Sequence, residues 1–367
     1  MPDGTLTAPA RPASTTEAGQ PAPLRVLVTT DAWYPQGNGV VRTLATVAAE
    51  LTRQGDRVDI IGPDRFPTLP LPSYPEIRLA LAPRRRLARL VDAAAPDAVH
   101  IATEGPLGWA MRALCLRRGW PFTTSFHTKF PDYLQARTGL PPRLAWAVLR
   151  RFHAAGQGVF AATPSLRAEL RARGFANVVP WTRGVDLDLF RPVADRAALW
   201  PGLPRPIFLY AGRLAVEKNI AAFLELDLPG SKVVVGDGPQ RAALQRRFPA
   251  AHFAGWHEGA ALAEAYAGAD VMVFPSRTDT FGLVLLESMA CGTPVAAYPV
   301  TGPVDLVAPG TGALSGDLRA AALAALDADR VACRRHAERF SWRACAASFR
   351  EHLVVLPPER RTLLAMP

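Results

Sequence analysis

The chain has 367 residues, 49% of them hydrophobic and 20% charged, which suits a globular protein with room for two α/β domains of ordinary size. No stretch reaches about 18 uncharged apolar residues, so a transmembrane helix is not expected. The net charge of +10 is concentrated in residues 84–173, where 15 Lys and Arg stand against 5 Asp and Glu.

Residues 1–23 are rich in Pro, Ala and Thr and lack the hydrophobic core of a signal peptide, so they read as a disordered leader. Residues 24–30 form a short apolar run that fits a buried parallel strand. A loop from Asp31 to Gly39 follows, with Gly37 and Gly39 leading into a helical pattern from Val40 to about Arg53. The third position of a G-x-G-x-x-G motif falls on Arg42, which disfavours a dinucleotide oxidoreductase. Strands are then predicted at 57–61, 97–102, 121–126 and 158–162, and their alternation with helices argues for a doubly wound parallel sheet.

Two loops after these strands carry candidate groups. Glu104 either orients an acceptor hydroxyl or caps the helix that follows. His127 ends the 121–126 strand, where ligands bind in open α/β sheets. Lys129 either meets an anionic acceptor group or is simply exposed. Residues 141–153 read as a proline-started helix with Arg143, Arg150 and Arg151 around Trp146 and Phe152. Such a basic amphipathic surface suits an anionic membrane; it equally suits a solvated face in an arginine-rich chain. Nucleic-acid binding is not expected, because no nucleic-acid module is present.

The proline-rich stretch 192–206 marks a domain boundary, and a second strand–loop–helix series begins at once. Strands are predicted at 207–211, 232–236, 251–253, 269–274 and 294–297, and a helical region from 320 to about 353. Gly212 lets the backbone approach a ligand, and Arg213 and Lys218 place positive charge over it. Gly236 opens a similar glycine-rich turn. The 269–274 strand runs into a loop with Asp279, Phe281 and Gly282, and then a helix from Leu283 carries Glu287. Two carboxylates flanking a helix N-terminus suit a ligand that has both hydroxyls and phosphates. Cys115, Cys291, Cys333 and Cys345 show no metal or disulfide spacing and read as reduced thiols.

The segment 275–295 resembles the acidic-x7-Glu signature of retaining family 4 glycosyltransferases, which have two facing Rossmann-like domains (the GT-B fold). The signature usually begins with Glu; here it begins with Asp279. Gly212-Arg213-x4-Lys218 is similar to the family element that holds the donor pyrophosphate, and Ser125-Phe126-His127 to the one that places a His beside the donor sugar. Asp186 and Asp188 match the linker of this family. The metal-dependent single-domain enzymes place such a pair at the end of a buried strand, so a metal role is not expected. With Thr103–Gly108, these motifs resemble bacterial GDP-mannose-dependent α-mannosyltransferases and sulfoquinovosyl- or glucuronosyl-diacylglycerol synthases.

The resemblance implies an α/β GT-B fold, with an acceptor domain at 24–195, a nucleotide-sugar domain at 200–335, and a helix at 336–355 crossing back. It implies a hexosyltransferase taking a UDP- or GDP-sugar, with a lipid or glycolipid acceptor at an anionic membrane, cytoplasmic and peripheral on the inner face. Neither cofactor nor metal is implied. His127, Arg213, Lys218 and Asp279 would act on the reaction. Gly37, Gly39, Glu104, Gly212, Gly236, Phe281, Gly282, Leu283 and Glu287 would bind substrate. A sugar-nucleotide epimerase on the same scaffold and a non-catalytic nucleotide-sugar-binding protein are the rival readings.

Overall fold

A computed structural model describes residues 22–71, 74–131, 141–357 and 359. The expected leader lies almost wholly outside them. The first domain runs β1 (Arg25–Thr29), α1 (Gly39–Arg53), β2 (Arg57–Ile61), β3 (Thr68–Leu71), β4 (Tyr74–Ala80), α2 (Arg84–Ala94), β5 (Ala98–Ile101), α3 (Pro106–Arg118), β6 (Thr123–Ser125), α4 (Arg143–His153), β7 (Gly158–Ala161), α5 (Pro164–Ala172) and β8 (Val178–Pro180). Its main sheet is parallel in the order β2-β1-β5-β6-β7-β8. β1 shows why it must sit inside. Leu27 enters a core with Ile61, Val99 and Met111, and Val26 and Val28 enter another with Leu44, Phe160 and Phe349. Both faces are apolar because helices cover both.

The second domain runs β9 (Ile207–Ala211), α6 (Ile220–Leu224), β10 (Ser231–Val235), α7 (Arg241–Arg247), β11 (His252–Gly255), α8 (Gly259–Gly268), β12 (Val271–Phe274), α9 (Leu283–Ala290), β13 (Val295–Ala297), α10 (Pro303–Leu306), β14 (Gly312–Leu314), α11 (Leu318–Ala324), α12 (Arg330–Ala337) and α13 (Trp342–His352). Its six strands are parallel in the order β11-β10-β9-β12-β13-β14.

Two features depart from the sequence reading. The ribbon β3–β4 is antiparallel and stands outside the main sheet. Pro70 and Pro75 argue against central strands, and a two-stranded ribbon lifts that constraint. The region 320–353 is also not one continuous helical run. Asp317 starts it by accepting from Arg319 and Ala320 N–H, and two side chains restart it: Asp329 accepts from Val331 N–H and Ser341 from Ala344 N–H. The last helix, α13, leaves the second domain and packs on α1 of the first. There Arg350 Nε lies 2.7 Å from the buried Asp56 carboxylate, and Trp181 Nε1 donates to Cys345 O at 3.2 Å. Among the described residues no helix is long and apolar enough to cross a membrane, and all four cysteines are buried thiols.

The first sheet buries two imidazoles with consequences for stability. His100 is enclosed between Thr123 Oγ1 at 2.8 Å and Ser125 Oγ at 2.7 Å. Burial, then Arg183 and His153, lowers its pKa from 6.5 to about 3. His127 is likewise held well below 6.5. The unfolded chain therefore binds more protons than the folded one below pH 6.5, so stability falls as pH drops from there towards 3. Denaturant titrations across this range should show a steadily falling midpoint; a midpoint unchanged down to about pH 4 would contradict the burial of these rings.

Candidate active site

Each parallel sheet has one point where the chain reverses its direction of winding, and ligands of such folds bind outside the strand ends there. In the first sheet it lies between β1 and β5, in the second between β9 and β12. The loops leaving β9 and β12 carry Gly212–Asn219 and Pro275–Gly282, and Asn219 Nδ2 ties them together by donating to Pro275 O at 3.2 Å. Both strong sequence motifs thus converge on one crevice.

In the second domain Lys218 Nζ lies 2.6 Å from Asp279 Oδ1, while Asp279 Oδ2 is buried with no hydrogen-bond partner. Gly282 holds φ at +96°, which a Cβ would resist, and sets the start of α9 without a side-chain cap. Leu285 N already donates to Gly282 O at 3.0 Å, but the N–H groups of Leu283 and Val284 before it take no intrahelical carbonyl and suit an anion. The Phe281 ring is buried in the core, so only its backbone can serve a ligand. The Arg213 carbonyl accepts from the Tyr210 hydroxyl at 2.8 Å, which fixes the turn carrying its half-buried side chain. Gly236 stands behind that turn: a Cβ there would lie 1.9 Å from Gly212 O. It shapes the Gly212–Arg213 loop by letting two backbones meet.

Glu287, one turn into α9, is 1% exposed. Its Oε2 accepts from the Tyr266 hydroxyl at 3.2 Å, and its Oε1 pairs with Arg42 of α1, across the cleft. Burial raises the Tyr266 phenol, so it stays a donor at ordinary pH. Asn38 caps α1 by accepting from Val40 and Val41 N–H and so aims the loop of Gly37 and Gly39 at the second domain. A side chain at Gly39 would meet Leu283 at 3.5 Å, and one at Gly37 would meet the half-exposed Trp256 at 3.8 Å. Further links cross the cleft. Thr280 Oγ1 donates to His127 O at 2.6 Å, and Ser165 N donates to Asp305 Oδ1 at 3.0 Å.

The first domain's groups are more constrained than their sequence suggested. Glu104 caps nothing: its carboxylate lies 3.0 Å from His153 Nε2. The N-terminus of α3 is held instead by Asp31, which accepts from Leu107 N at 2.8 Å and Gly108 N at 3.1 Å. Lys129 is buried and pairs with Glu169 at 2.7 Å, so it is neither exposed nor offered to an acceptor. Burial alone would raise the Glu169 carboxyl, but Lys129 and Arg173 together hold it below its ordinary value. Asp186 Oδ1 accepts from Asp188 N and Leu189 N and caps a turn. His127 Nδ1 lies 3.2 Å from Arg183 Nη2, and its Nε2 is buried with no hydrogen-bond partner.

Residues 37–189 match Glycosyltransferase Family 4, and residues 205–328 match Glycosyl transferases group 1. A GDP-mannose-dependent alpha-mannosyltransferase of Mycobacterium tuberculosis is 33% identical over 78% of this chain and 82% of its own length. The chain belongs to glycosyltransferase family 4. Sulfoquinovosyl transferase SQD2 of Arabidopsis thaliana is 30% identical over 79% of this chain and 62% of its own. A GDP-mannose-dependent alpha-(1-6)-phosphatidylinositol dimannoside mannosyltransferase of M. tuberculosis is 31% identical over 60% of each. Sucrose-phosphate synthase from Thermosynechococcus elongatus superposes with a TM-score of 0.70 at 24% identity, covering 93% of this chain and 99% of its own. Anabaena HepE in complex with UDP-glucose gives 0.64 at 16% identity, covering 89% and 98%. These likenesses show the fold: two Rossmann-like domains in the GT-B arrangement.

This family 4 glycosyltransferase has site residues that sequence reasoning missed. Arg42 enters the sequence reading only as the residue that breaks a glycine motif, and Tyr266 does not enter it. Asp31 opens the loop after the first strand, and that position was a usable signal. Arg183 gave no signal, because only folding brings the segment after β8 against the His127 ring that follows β6.

Proposed function

We propose that this glycosyltransferase moves a hexosyl group from a UDP- or GDP-sugar to a hydroxyl of a membrane lipid or glycolipid, with retention at the anomeric carbon and without a metal ion. The observation that carries this reading is the meeting of Arg213, Lys218, Asp279, Glu287 and the α9 N-terminus at one switch point. A diphosphate would lie on the N-terminus of α9 with Arg213 and Lys218 around it, and these positive groups would oppose the charge that builds as it leaves. Glu287 would take the ribose hydroxyls. Asp279 Oδ2, desolvated and without a partner, would accept from a sugar hydroxyl. The departing phosphate would itself take the acceptor's proton on the same face of the sugar, so a protein nucleophile has no task.

Relatives support the donor and acceptor classes. Two are named for GDP-mannose, and one of these for phosphatidylinositol dimannoside as well. The basic surface of the first domain supports a membrane. On α4 the exposed residues are Arg143, Leu144, Val148, Arg150 and Arg151. The aromatic foot expected there is absent: Trp146 stacks on Phe126 at 5.9 Å, and Phe152 is fully buried. Leu144 and Val148, with the exposed Phe130, supply the apolar contact in its place. Flotation with anionic liposomes should carry the protein upward at low salt and release it at high salt. Protein that stays at the bottom at low salt would contradict the membrane part of this reading.

A further inference from the structure

Arg183 is a fully buried guanidinium just after β8, and its partners are unusual for a buried cation. Nη1 donates to Trp181 O at 2.8 Å and to Thr182 O at 2.9 Å, and its Cζ lies 3.9 Å from the centroid of the Trp181 ring. Nη2 lies 3.2 Å from His127 Nδ1. Burial brings its pKa down to about 10, so it remains charged at neutral pH. A buried charge held by carbonyls and a ring has a steep desolvation cost, and structures keep such groups where the charge has a task.

The chemistry of the contact decides which task. A guanidinium has N–H donors and no acceptor, so His127 Nδ1 must offer its lone pair. The proton of a neutral imidazole then sits on Nε2, the atom that is buried and has no hydrogen-bond partner. We propose that Arg183 is a positioning residue that fixes His127 as the neutral Nε2–H tautomer, so that His127 acts only as a hydrogen-bond donor to an oxygen of the bound substrate. Three charged or titratable groups face the ring: Arg183, His100 on β5 and His153 on α4. All three disfavour an imidazolium, and burial disfavours it more. The His127 carbonyl is held separately by Thr280 from the second domain, so backbone and ring are both oriented. A general-base role for His127 is removed by the same contact, since its only lone pair is taken.

The donor role in catalysis rests on the reading of His127 as a substrate contact; the tautomer does not. The test therefore reads both. Long-range proton–nitrogen spectra of the full chain with 15N-labelled histidine resolve each ring tautomer, and His127→Gln assigns one signal among the 7 histidines. The expected His127 signal is the Nε2–H pattern, unchanged between about pH 5 and 8. An Nδ1–H pattern, or titration in that range, overturns the proposal. Arg183→Met should lose the fixed pattern and lower kcat roughly ten-fold, the scale of one hydrogen bond, while Arg183→Lys, which also donates, should restore both in part. An unchanged pattern in Arg183→Met overturns the proposal as well. A changed pattern with unchanged kcat upholds the lock and overturns the substrate contact. If Arg183→Met does not fold, the wild-type and Arg183→Lys spectra still decide.

Discussion

Replacing Arg213 with alanine should lower kcat for glycosyl transfer roughly 10²–10³-fold, with a smaller change in donor KM. The asymmetry follows from when its charge matters. In the ground state the diphosphate is shared among Arg213, Lys218 and the α9 N-terminus. In the transition state the sugar–phosphate bond lengthens and charge gathers on the leaving oxygen, where a fixed guanidinium in a closed cleft acts most strongly. Lys218→Ala should cost less, because a single ammonium held at 2.6 Å by Asp279 grips a diphosphate less fully than a planar guanidinium fork. Arg213→Lys should recover part of the rate, since charge returns but the planar fork does not. Initial rates over a range of donor concentrations separate the two parameters. A KM rise at constant kcat would place Arg213 in binding alone.

Glu287→Ala should weaken nucleoside diphosphate binding by roughly 10²-fold, because two ribose hydroxyls lose a charged acceptor. The variant should also lose about 1–3 kcal/mol of stability, as the buried Tyr266 hydroxyl is left without its acceptor. Glu287→Gln keeps an oxygen for Tyr266 and separates the two effects. Arg42→Ala should act in the opposite direction. Arg42 pairs with Glu287 across the cleft, so ribose hydroxyls would compete with it for the carboxylate. The Arg42 side chain is 46% exposed while that of Glu287 is 2% exposed, so removing Arg42 leaves a buried carboxylate for the ribose hydroxyls to satisfy, and binding should tighten roughly two- to five-fold. Titration calorimetry with UDP and GDP reads all three. Unaltered affinity in Glu287→Ala would remove Glu287 from the ribose.

Much of this site was legible in the chain because it is built from local motifs. Gly212 to Lys218 and Asp279 to Glu287 each occupy one strand–loop–helix connection, where spacing alone says what is near what. The first domain was less legible because its site is built from distant segments. Glu104, in the loop after β5, meets His153 of α4, Lys129 meets Glu169 of α5, and His127 meets Arg183 after β8. Those partners make Glu104 an anchored carboxylate and Lys129 half of an internal ion pair, and they hold the His127 ring beside Arg183. The helical breaks near 329 and 341 were written in Asp329 and Ser341, but a cap in an apolar-periodic stretch also reads as an ordinary polar surface residue. The ribbon β3–β4 was hidden by prolines that exclude central strands and permit edges.

The most direct test is product analysis. Purified protein is incubated with UDP-glucose, UDP-glucuronate or GDP-mannose, with diacylglycerol or phosphatidylinositol vesicles and EDTA, and products are identified by mass and anomeric configuration. The expected result is one α-linked glycolipid from one donor, formed undiminished in EDTA. A sugar-nucleotide isomer from donor alone, or a glycolipid that disappears with EDTA, would contradict the reading of a metal-independent lipid glycosyltransferase.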